Sequence, residues 1–256
     1  TFVLTIASEM HKRNDEDHSI YAAELDRFSY ENDCLIFIST ANNNKAADDN
    51  TGYNLGYFGN EVTNLCSPAE SMNNITIGAA SDNITGNIGW AISDGSEYPA
   101  LYTRKHHCNL KNFYPRNKNN KHYFKPDVIE SGGDYEYYKF FIAQGSRASL
   151  EVLSSDPAES FYRQIGTSYS APLAANLAAK MQALYPELKS QTLKALIINS
   201  ADHKMISFPT EHKHLLNSVT GNGFVNGEKT LYSDENTISF IIEDEVMPGI
   251  MQLYPI

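Results

Sequence analysis

Residues 166–172 read GTSYSAP, and LAANLAAKMQALYP follows without a break. Gly166 allows the backbone to turn sharply and leaves space beside the residues that follow it. Apolar side chains then recur at helical spacing, with alanines between them, at Leu173, Leu177, Met181 and Leu184. This pattern predicts a tight turn followed by a long central helix that is buried on most of its sides.

Ser168 stands at the predicted start of this helix. The free N–H groups and the positive dipole end of a helix N-terminus favour negative charge that develops nearby. A nucleophilic serine needs such an environment when it attacks a carbonyl. The alternative is a structural role, because serine is among the preferred N-cap residues and caps are much commoner than nucleophiles.

The residues around Ser168 favour the nucleophile. G-T-S-x-[SA]-x-P opening an alanine-rich helix resembles the serine motif of the subtilisin-like peptidases, the subtilases. The resemblance implies an α/β fold in which a largely parallel, twisted sheet carries helices on both faces. It also implies that Ser168 is a catalytic nucleophile.

The first 44 residues have the pattern of a β-α-β unit. TFVLTI at 1–6 is predicted to be a buried strand. From Ser19 to about Glu31 the spacing predicts an amphipathic helix whose inward side chains are Tyr21, Leu25 and Phe28. CLIFIST at 34–40 is a short apolar run, typical of a parallel strand that is covered on both faces.

The second predicted strand runs into Ala41-Asn42-Asn43-Asn44. Ligands of α/β folds bind at the carboxyl ends of parallel strands, whereas asparagine-rich segments are also common as plain turns. The subtilase strand at this place ends in A-G-N, and its asparagine donates a hydrogen bond to the oxyanion. The resemblance therefore implies that role for Asn42, although Ala41 replaces the usual glycine and Asn43 or Asn44 could shift the register.

Residues 66–79 resemble the subtilase segment that begins P-A and ends in V-G-A. The resemblance implies that Pro68 and Ala69 start the floor of the S1 pocket and that Ser67–Pro68 is a candidate cis peptide. We expect Cys66 to lie near that pocket as a packing residue. Ile75 to Ala79 is expected to be the next parallel strand.

An extended substrate is expected to pair with the chain as an added strand. The residues expected to line that groove with their backbone are Ala7, Ser8, Ser39, Thr40 and Ala41. Thr167, next to the nucleophile, is a further candidate substrate-binding residue.

Other segments carry weaker parts of the resemblance. FKPDVIESGGDY at 124–135 resembles a tight connection in the subtilase scaffold. Residues 190–201 resemble the second C-terminal helix of that family, and residues 221–226 resemble one of its glycine-rich turns. The Lys/Asn-rich run 109–122 is predicted to be an exposed insertion, and short strands are expected near 137–155. Residues 1–232 are thus expected to form the C-terminal part of a peptidase domain. Residues 233–256 are expected to form terminal strands that could begin a β-rich extension.

A serine peptidase also needs a base and an acid that orients the base. The histidine and aspartate motifs of subtilases do not occur in this sequence, and the acidic stretch 48–52 follows the oxyanion strand, where it does not fit their order. His203, His212 and His214 follow the serine and are excluded on the same ground. Three explanations stay open: a piece of a longer peptidase, which is favoured; one part of a split enzyme completed by a second chain; or an inactive relative that binds peptides.

The formal net charge of −11 argues against a general nucleic-acid or anionic-membrane binder, and no apolar run is long enough to span a membrane. The three cysteines are widely spaced, which argues against a disulfide framework and mildly favours a cytoplasmic location.

No cofactor is expected; calcium stays open, without assigned ligands. The expected partners are a peptide or protein substrate and an N-terminal fragment or second chain that carries the aspartate and histidine.

The sequence therefore predicts a serine endopeptidase that acts through an acyl-enzyme on Ser168, with Asn42 and the Ser168 N–H as oxyanion donors. A non-catalytic peptide-binding module is the competing class. An esterase of the α/β-hydrolase type is disfavoured, because no G-x-S-x-G elbow surrounds Ser168.

Overall fold

A computed structural model describes residues 1–81, 90–107, 124–138, 140–145, 147–232, 241–244, 249 and 251. The whole of the predicted insertion at 109–122 and most of the predicted terminal strands at 233–256 lie outside these residues. The described residues 241–244 have no regular secondary structure. Within the described part of the chain, no helix is long and apolar enough to cross a membrane.

The centre of the fold is a parallel sheet of four strands in the order β1-β2-β3-β4. The strands are β1 (Phe2–Leu4), β2 (Ile36–Ser39), β3 (Ile75–Ala80) and β4 (Val128–Ser131). Every residue of β2 and β3 is buried, as expected for parallel strands that carry helices on both faces. The α/β fold predicted from the sequence is confirmed, and β4 lies where the sequence predicted only a connection.

The two faces of β2 enter different clusters of apolar side chains. Phe37 packs with the long helix α2 (Thr167–Leu184) and with α3 (Ser190–Ser200), whereas Ile38 packs with Leu65 and with Leu25 of α1 (Ile20–Glu31). This split follows from the period of two along a strand, which sends successive side chains to opposite faces.

Helix α1 joins β1 to β2 as a parallel crossover, and the Ser19 hydroxyl caps it by accepting from the Ala22 N–H at 3.1 Å. The predicted inward face is correct at Leu25, which packs against the cluster of Ile38 and Leu65, and wrong at Tyr21 and Phe28. Ala22 and Ser29 are the buried residues of the helix, whereas Tyr21 is 71% exposed. The Ser29 hydroxyl donates to Asn74 Oδ1, so the buried face of the helix meets the segment before β3, and the side chains of Tyr21 and Phe28 stay outside.

Strand β1 is also more exposed than its sequence predicted. Phe2 and Val3 are 55% and 44% exposed, because β1 is the edge of the described sheet and pairs only with β2. The ring of Phe2 meets the ring of Phe28 edge-on, with 6.5 Å between the ring centroids. An apolar surface therefore extends across β1 and α1.

Helix α2 lies across β2, β3 and β4. Its buried face consists largely of alanines, Ala171, Ala174, Ala175 and Ala178, together with Leu177 and Met181. Leu184, which the spacing placed inward, is 49% exposed. Alanines allow the helix backbone to approach the sheet closely, and this sets the height of the helix start above the strand ends.

The remaining elements surround this core. Two antiparallel hairpins pair β5 (Glu136–Tyr138) with β6 (Phe141–Ala143) and β7 (Leu150–Leu153) with β8 (Phe161–Gln164). Short helices α4 (Leu216–Thr220) and α5 (Gly227–Leu231) follow α3. Two 3₁₀ helices, Leu55–Gly59 and Glu61–Thr63, lie between β2 and β3.

Enlarging the alanine face of α2 should destabilise the fold. In Ala174→Leu the added carbons enter a site that is 0% exposed, and overpacking of this kind costs about 1–3 kcal/mol of unfolding free energy. Ala179→Leu adds the same atoms at an exposed position of the same helix and should change that free energy by less than about 0.5 kcal/mol. Urea unfolding followed by circular dichroism measures both, and equal effects of the two substitutions would contradict the assigned face.

Candidate active site

The carboxyl end of β2 presents Asn42. The strand ends at Ser39, and the Thr40 N–H still donates to the Ile77 carbonyl of β3 at 3.1 Å. Ala41 then adopts a left-handed backbone conformation, with φ of 68°, which is uncommon for a residue with a side chain. This turn ends the pairing with β3, and Asn42 follows at once.

Two hydrogen bonds from Thr167 fix the side chain of Asn42. The Thr167 N–H and the Thr167 hydroxyl both donate to Asn42 Oδ1 at 3.0 Å. Because Oδ1 accepts both bonds, Nδ2 is the end of the amide that stays available as a donor. Nδ2 lies beside Gly166, where an added Cβ would come within 3.1 Å of it.

The start of α2 presents Ser168. Gly166 is the N-cap residue, and its own N–H donates to the Gly132 carbonyl at 2.9 Å. Ser168 is the second helical residue and is half-buried, so its N–H belongs to the first turn, where helix N–H groups lack partners within the helix. Among the described residues, no histidine or carboxylate hydrogen-bonds the Ser168 hydroxyl.

A cavity of about 250 Å³ brings Asn42 and Ser168 together. Its other lining residues come from the segment after β1, from the loop after β2 and from the middle of the chain: Thr5, Ala7, Ser8, Glu9, Ala41, Asn44, Cys66 and Arg104. Most of its lining is polar. A small polar cavity next to a hydroxyl and an amide donor can accept a carbonyl group and one attached side chain.

The structure places the predicted substrate-binding residues in different surroundings. Ala7, Ser8 and Ala41 line the cavity with Ser168. Ser39 and Thr40 are 1% and 0% exposed, and they cannot pair with an added strand as the sequence suggested, because β2 is an internal strand between β1 and β3.

The three other predicted residues lie outside the cavity. Pro68 follows a cis peptide bond, as predicted for Ser67–Pro68, and lines an apolar cleft. Ala69 is fully buried in the cluster beneath β2, so its methyl group forms no pocket floor. Thr167 is fully buried as well, and its contact is with Asn42.

Arg104, which was not predicted as a site residue, also lines the cavity. Its guanidinium donates from Nη1 to the carbonyls of Val62 and Asn64 at 2.9 Å, and from Nη2 to the carbonyl of Asn42 at 3.1 Å. Cys66 lies at the same cavity, as the sequence suggested, and burial raises the pKa of its thiol. The sequence pattern around this arginine did not assign it to the site, so only the three-dimensional structure identifies it.

An apolar cleft of about 760 Å³ adjoins the cavity and shares Ala7 and Ser8 with it. Its apolar side chains come from β1, α1 and the segment that follows β1, and they are Leu4, Ile6, Tyr21, Leu25 and Phe28. The cleft therefore lies directly beside the cavity that Ser168 lines.

A buried support holds the turn at Gly166. The Tyr102 hydroxyl donates to the carbonyls of Gly132 and Gly133 at 2.7 and 2.8 Å, and Gly132 accepts from the Gly166 N–H. Asp134, 0% exposed, follows directly and accepts from the Ser93 N–H and hydroxyl and from the Tyr135 N–H. Burial raises the pKa of Asp134 to about 7, despite these hydrogen bonds.

Comparison with known proteins agrees with this geometry. The sequence profile of the subtilase family matches residues 6–228, so the chain belongs to that family. The chain is 24% identical over 266 residues to an uncharacterized protein, y4bN, of Sinorhizobium fredii; the match covers 96% of this chain and 59% of that protein.

Two solved structures share the fold. The prenylagaramide maturation protease PagA has a TM-score of 0.51 at 15% identity, with 90% of this chain and 60% of that chain covered. The PatG macrocyclase in complex with peptide has a TM-score of 0.50 at 17% identity, with 90% and 52% covered. The chain thus spans about three fifths or less of the length of these relatives.

The buried Asp134 should give the protein a distinctive pH dependence. Its folded-state pKa of about 7 lies above its ordinary value of 3.8, so the folded state binds the proton more tightly than the unfolded state. This contribution to the unfolding free energy is present below about pH 4 and is lost as the pH rises through about 7. Asp134→Asn should remove this dependence.

Comparing the wild-type protein with Asp134→Asn separates the effect of Asp134 from that of other titratable groups. Burial lowers the pKa of His107 to about 3. Below about pH 6.5 the neutral His107 therefore makes the unfolding free energy rise with pH, opposite to the effect of Asp134, but this contribution is the same in the wild type and in Asp134→Asn. Urea unfolding at pH 5 and pH 7.5 measures the difference. If the wild-type protein lost no more stability than Asp134→Asn over this interval, Asp134 would be ionised throughout.

Proposed function

We propose that this chain is part of a serine endopeptidase that hydrolyses peptide bonds through an acyl-enzyme on Ser168. The Ser168 Oγ attacks the carbonyl carbon, and its proton passes to a general base. The negative charge that develops on the carbonyl oxygen is stabilised by Asn42 Nδ2 and by the Ser168 N–H. The amine then leaves with a proton returned by the base, and water hydrolyses the ester.

The orientation of the Asn42 amide carries this proposal. An asparagine in a plain turn would leave either end of its amide free, whereas Thr167 occupies Oδ1 twice. The donor end is thereby set in advance beside the helix start that bears Ser168. Donors fixed before the reaction stabilise a developing oxyanion without reorganising, and the positive end of α2 adds to the effect.

The base and the acid are proposed to come from sequence outside these 256 residues. No described histidine or carboxylate hydrogen-bonds Ser168, and the chain spans about three fifths of the length of y4bN. The outer edge of β1 and the apolar cleft beside it offer a surface for that sequence, upstream in the same protein or in a second chain. This surface reaches the cavity, since Ala7 and Ser8 line both.

The substrate is proposed to be an extended peptide or protein segment that passes Ala7 and Ser8. These two residues follow β1 and lie at the mouth shared by the cleft and the cavity. A peptide along this line would set one carbonyl beside Ser168 and one side chain in the cavity. The membership of the chain in the subtilase family supports this assignment.

A fluorophosphonate probe tests the nucleophile directly, because it reacts with activated serines. We expect the longest natural form of the protein to be labelled at Ser168, the 256-residue chain alone to be labelled weakly or not at all, and Ser168→Ala to be unlabelled in either form. Mass spectrometry of the labelled peptide identifies the site. If the folded long form is not labelled, the peptidase assignment fails and peptide binding without catalysis takes its place.

Removing the Asn42 amide should slow catalysis without weakening substrate binding. Loss of one oxyanion donor lowers kcat by about 10²–10³-fold in enzymes of this chemistry, so Asn42→Ala should do the same and leave KM within about threefold. The matched control is Asn176→Ala, an exposed asparagine on α2 away from the cavity, which should leave both constants unchanged. A rise in KM at constant kcat would place Asn42 in ground-state binding instead.

A further inference from the structure

The cavity beside Ser168 contains a buried positive charge. Arg104 is 7% exposed and lines this cavity with Ser168, Asn42 and Cys66. Any side chain that enters the cavity from a bound peptide therefore comes close to the positive charge of Arg104 as well as to Ser168.

The hydrogen bonds of Arg104 leave part of its guanidinium unused. A guanidinium has five N–H donors. Three hydrogen bonds go to the backbone carbonyls of Val62, Asn64 and Asn42, and Nε has no partner among the described residues. Nε, which is shielded from solvent, and the second N–H of Nη2 are thus the donors without a partner, and arginine binds a planar acceptor such as a carboxylate through paired N–H groups of this kind.

The charge of Arg104 is also uncompensated. In the described part of the chain, no carboxylate lies within 4.0 Å of its guanidinium. The titratable groups that interact with it are Cys66 and Tyr57. Both are neutral at neutral pH, because burial raises the pKa of the Cys66 thiol and raises the pKa of Tyr57 to about 12. A buried charge without a counter-charge is unfavourable, and a ligand that supplies the counter-charge removes that penalty.

We propose that Arg104 makes this cavity selective for an acidic side chain, aspartate or glutamate, on the residue whose carbonyl Ser168 attacks. The inference rests on the proposed peptidase function and names the substrate class of the same site. A short carboxylate side chain suits a polar cavity of about 250 Å³. Glu9 also lines the cavity, but it is exposed to solvent and forms no ion pair with Arg104, so water screens its repulsion.

Matched peptides that differ only in charge test the selectivity. With the longest natural form of the protein, kcat/KM should be about 10- to 100-fold higher for aspartate than for asparagine at the attacked residue, and likewise for glutamate over glutamine, as expected for a hydrogen bond to a charged partner. Equal values within each pair, or a preference for apolar or basic side chains, would overturn the inference.

Substitution of Arg104 separates selectivity from a structural role. Arg104→Met keeps the length of the stem and removes the charge, and should bring the aspartate-to-asparagine ratio close to one. Arg104→Lys keeps the charge without the planar fork and should retain a reduced ratio. If Arg104 acted only by holding the carbonyl of Asn42, both variants would lower kcat/KM for all peptides equally and leave the ratio unchanged, which would contradict the proposal.

A binding measurement distinguishes failure of this inference from failure of the proposed function. Fluorescence anisotropy with the Ser168→Ala variant compares peptides that carry aspartate or asparagine at the same position, and needs no catalysis. Labelling of Ser168 by the fluorophosphonate without acidic selectivity in cleavage or binding overturns the role of Arg104 alone. Absent labelling with tighter binding of the aspartate peptide overturns the peptidase assignment and supports Arg104.

Discussion

The site depends on the two hydrogen bonds that Asn42 Oδ1 accepts from Thr167. Helix α2 begins after a glycine, which has no side chain to cap the free N–H groups of the first turn. Asn42 supplies the missing acceptor from 125 residues earlier in the chain. One amide thus caps the helix with its oxygen and keeps its nitrogen free, so stabilising the helix start and orienting the donor are the same interaction.

This interaction requires the end of β2 and the start of α2 to keep a fixed separation. The alanine face of α2 provides it, since Ala171, Ala174 and Ala178 are fully buried and let the helix lie close across the sheet. A small residue is also needed at position 166, because a Cβ added to Gly166 would lie 3.1 Å from Asn42 Nδ2. Small residues along 166–178 are therefore needed for the geometry of the site as well as for the packing of the core.

The sequence predicted those parts of the fold that are encoded locally. The crossover through α1, the strands β2 and β3, and the helices α2 and α3 each have their own period or composition. The motifs around Ser168 and Asn42 predicted that two distant residues would meet, and the structure places both at one cavity. The resemblance to a family predicted that Asn42 and Ser168 lie together, whereas periodicity predicts local elements only.

The parts that could not be predicted depend on neighbours distant in sequence. Periodicity identified an apolar stripe on α1, but the structure buries Ala22 and Ser29, whose hydroxyl donates to the distant Asn74, and leaves Tyr21 outside. The edge position of β1 decides its exposure in the same way. The surroundings of Arg104 combine carbonyls from residues 42, 62 and 64, and no local pattern of the sequence indicates that they converge.

Arg104 links the two electrostatic tasks of the cavity. Its hydrogen bond to the Asn42 carbonyl supports the residue proposed to donate to the oxyanion, and its charge favours a negative group bound in the same cavity. These effects act at different stages of a reaction. A substrate carboxylate is charged before the attack and is bound in the ground state, whereas the oxyanion exists only during the chemical step. An acidic side chain bound to Arg104 would therefore gain affinity from this charge, whereas the transition state of the proposed reaction would rely on the separate donors Asn42 Nδ2 and the Ser168 N–H.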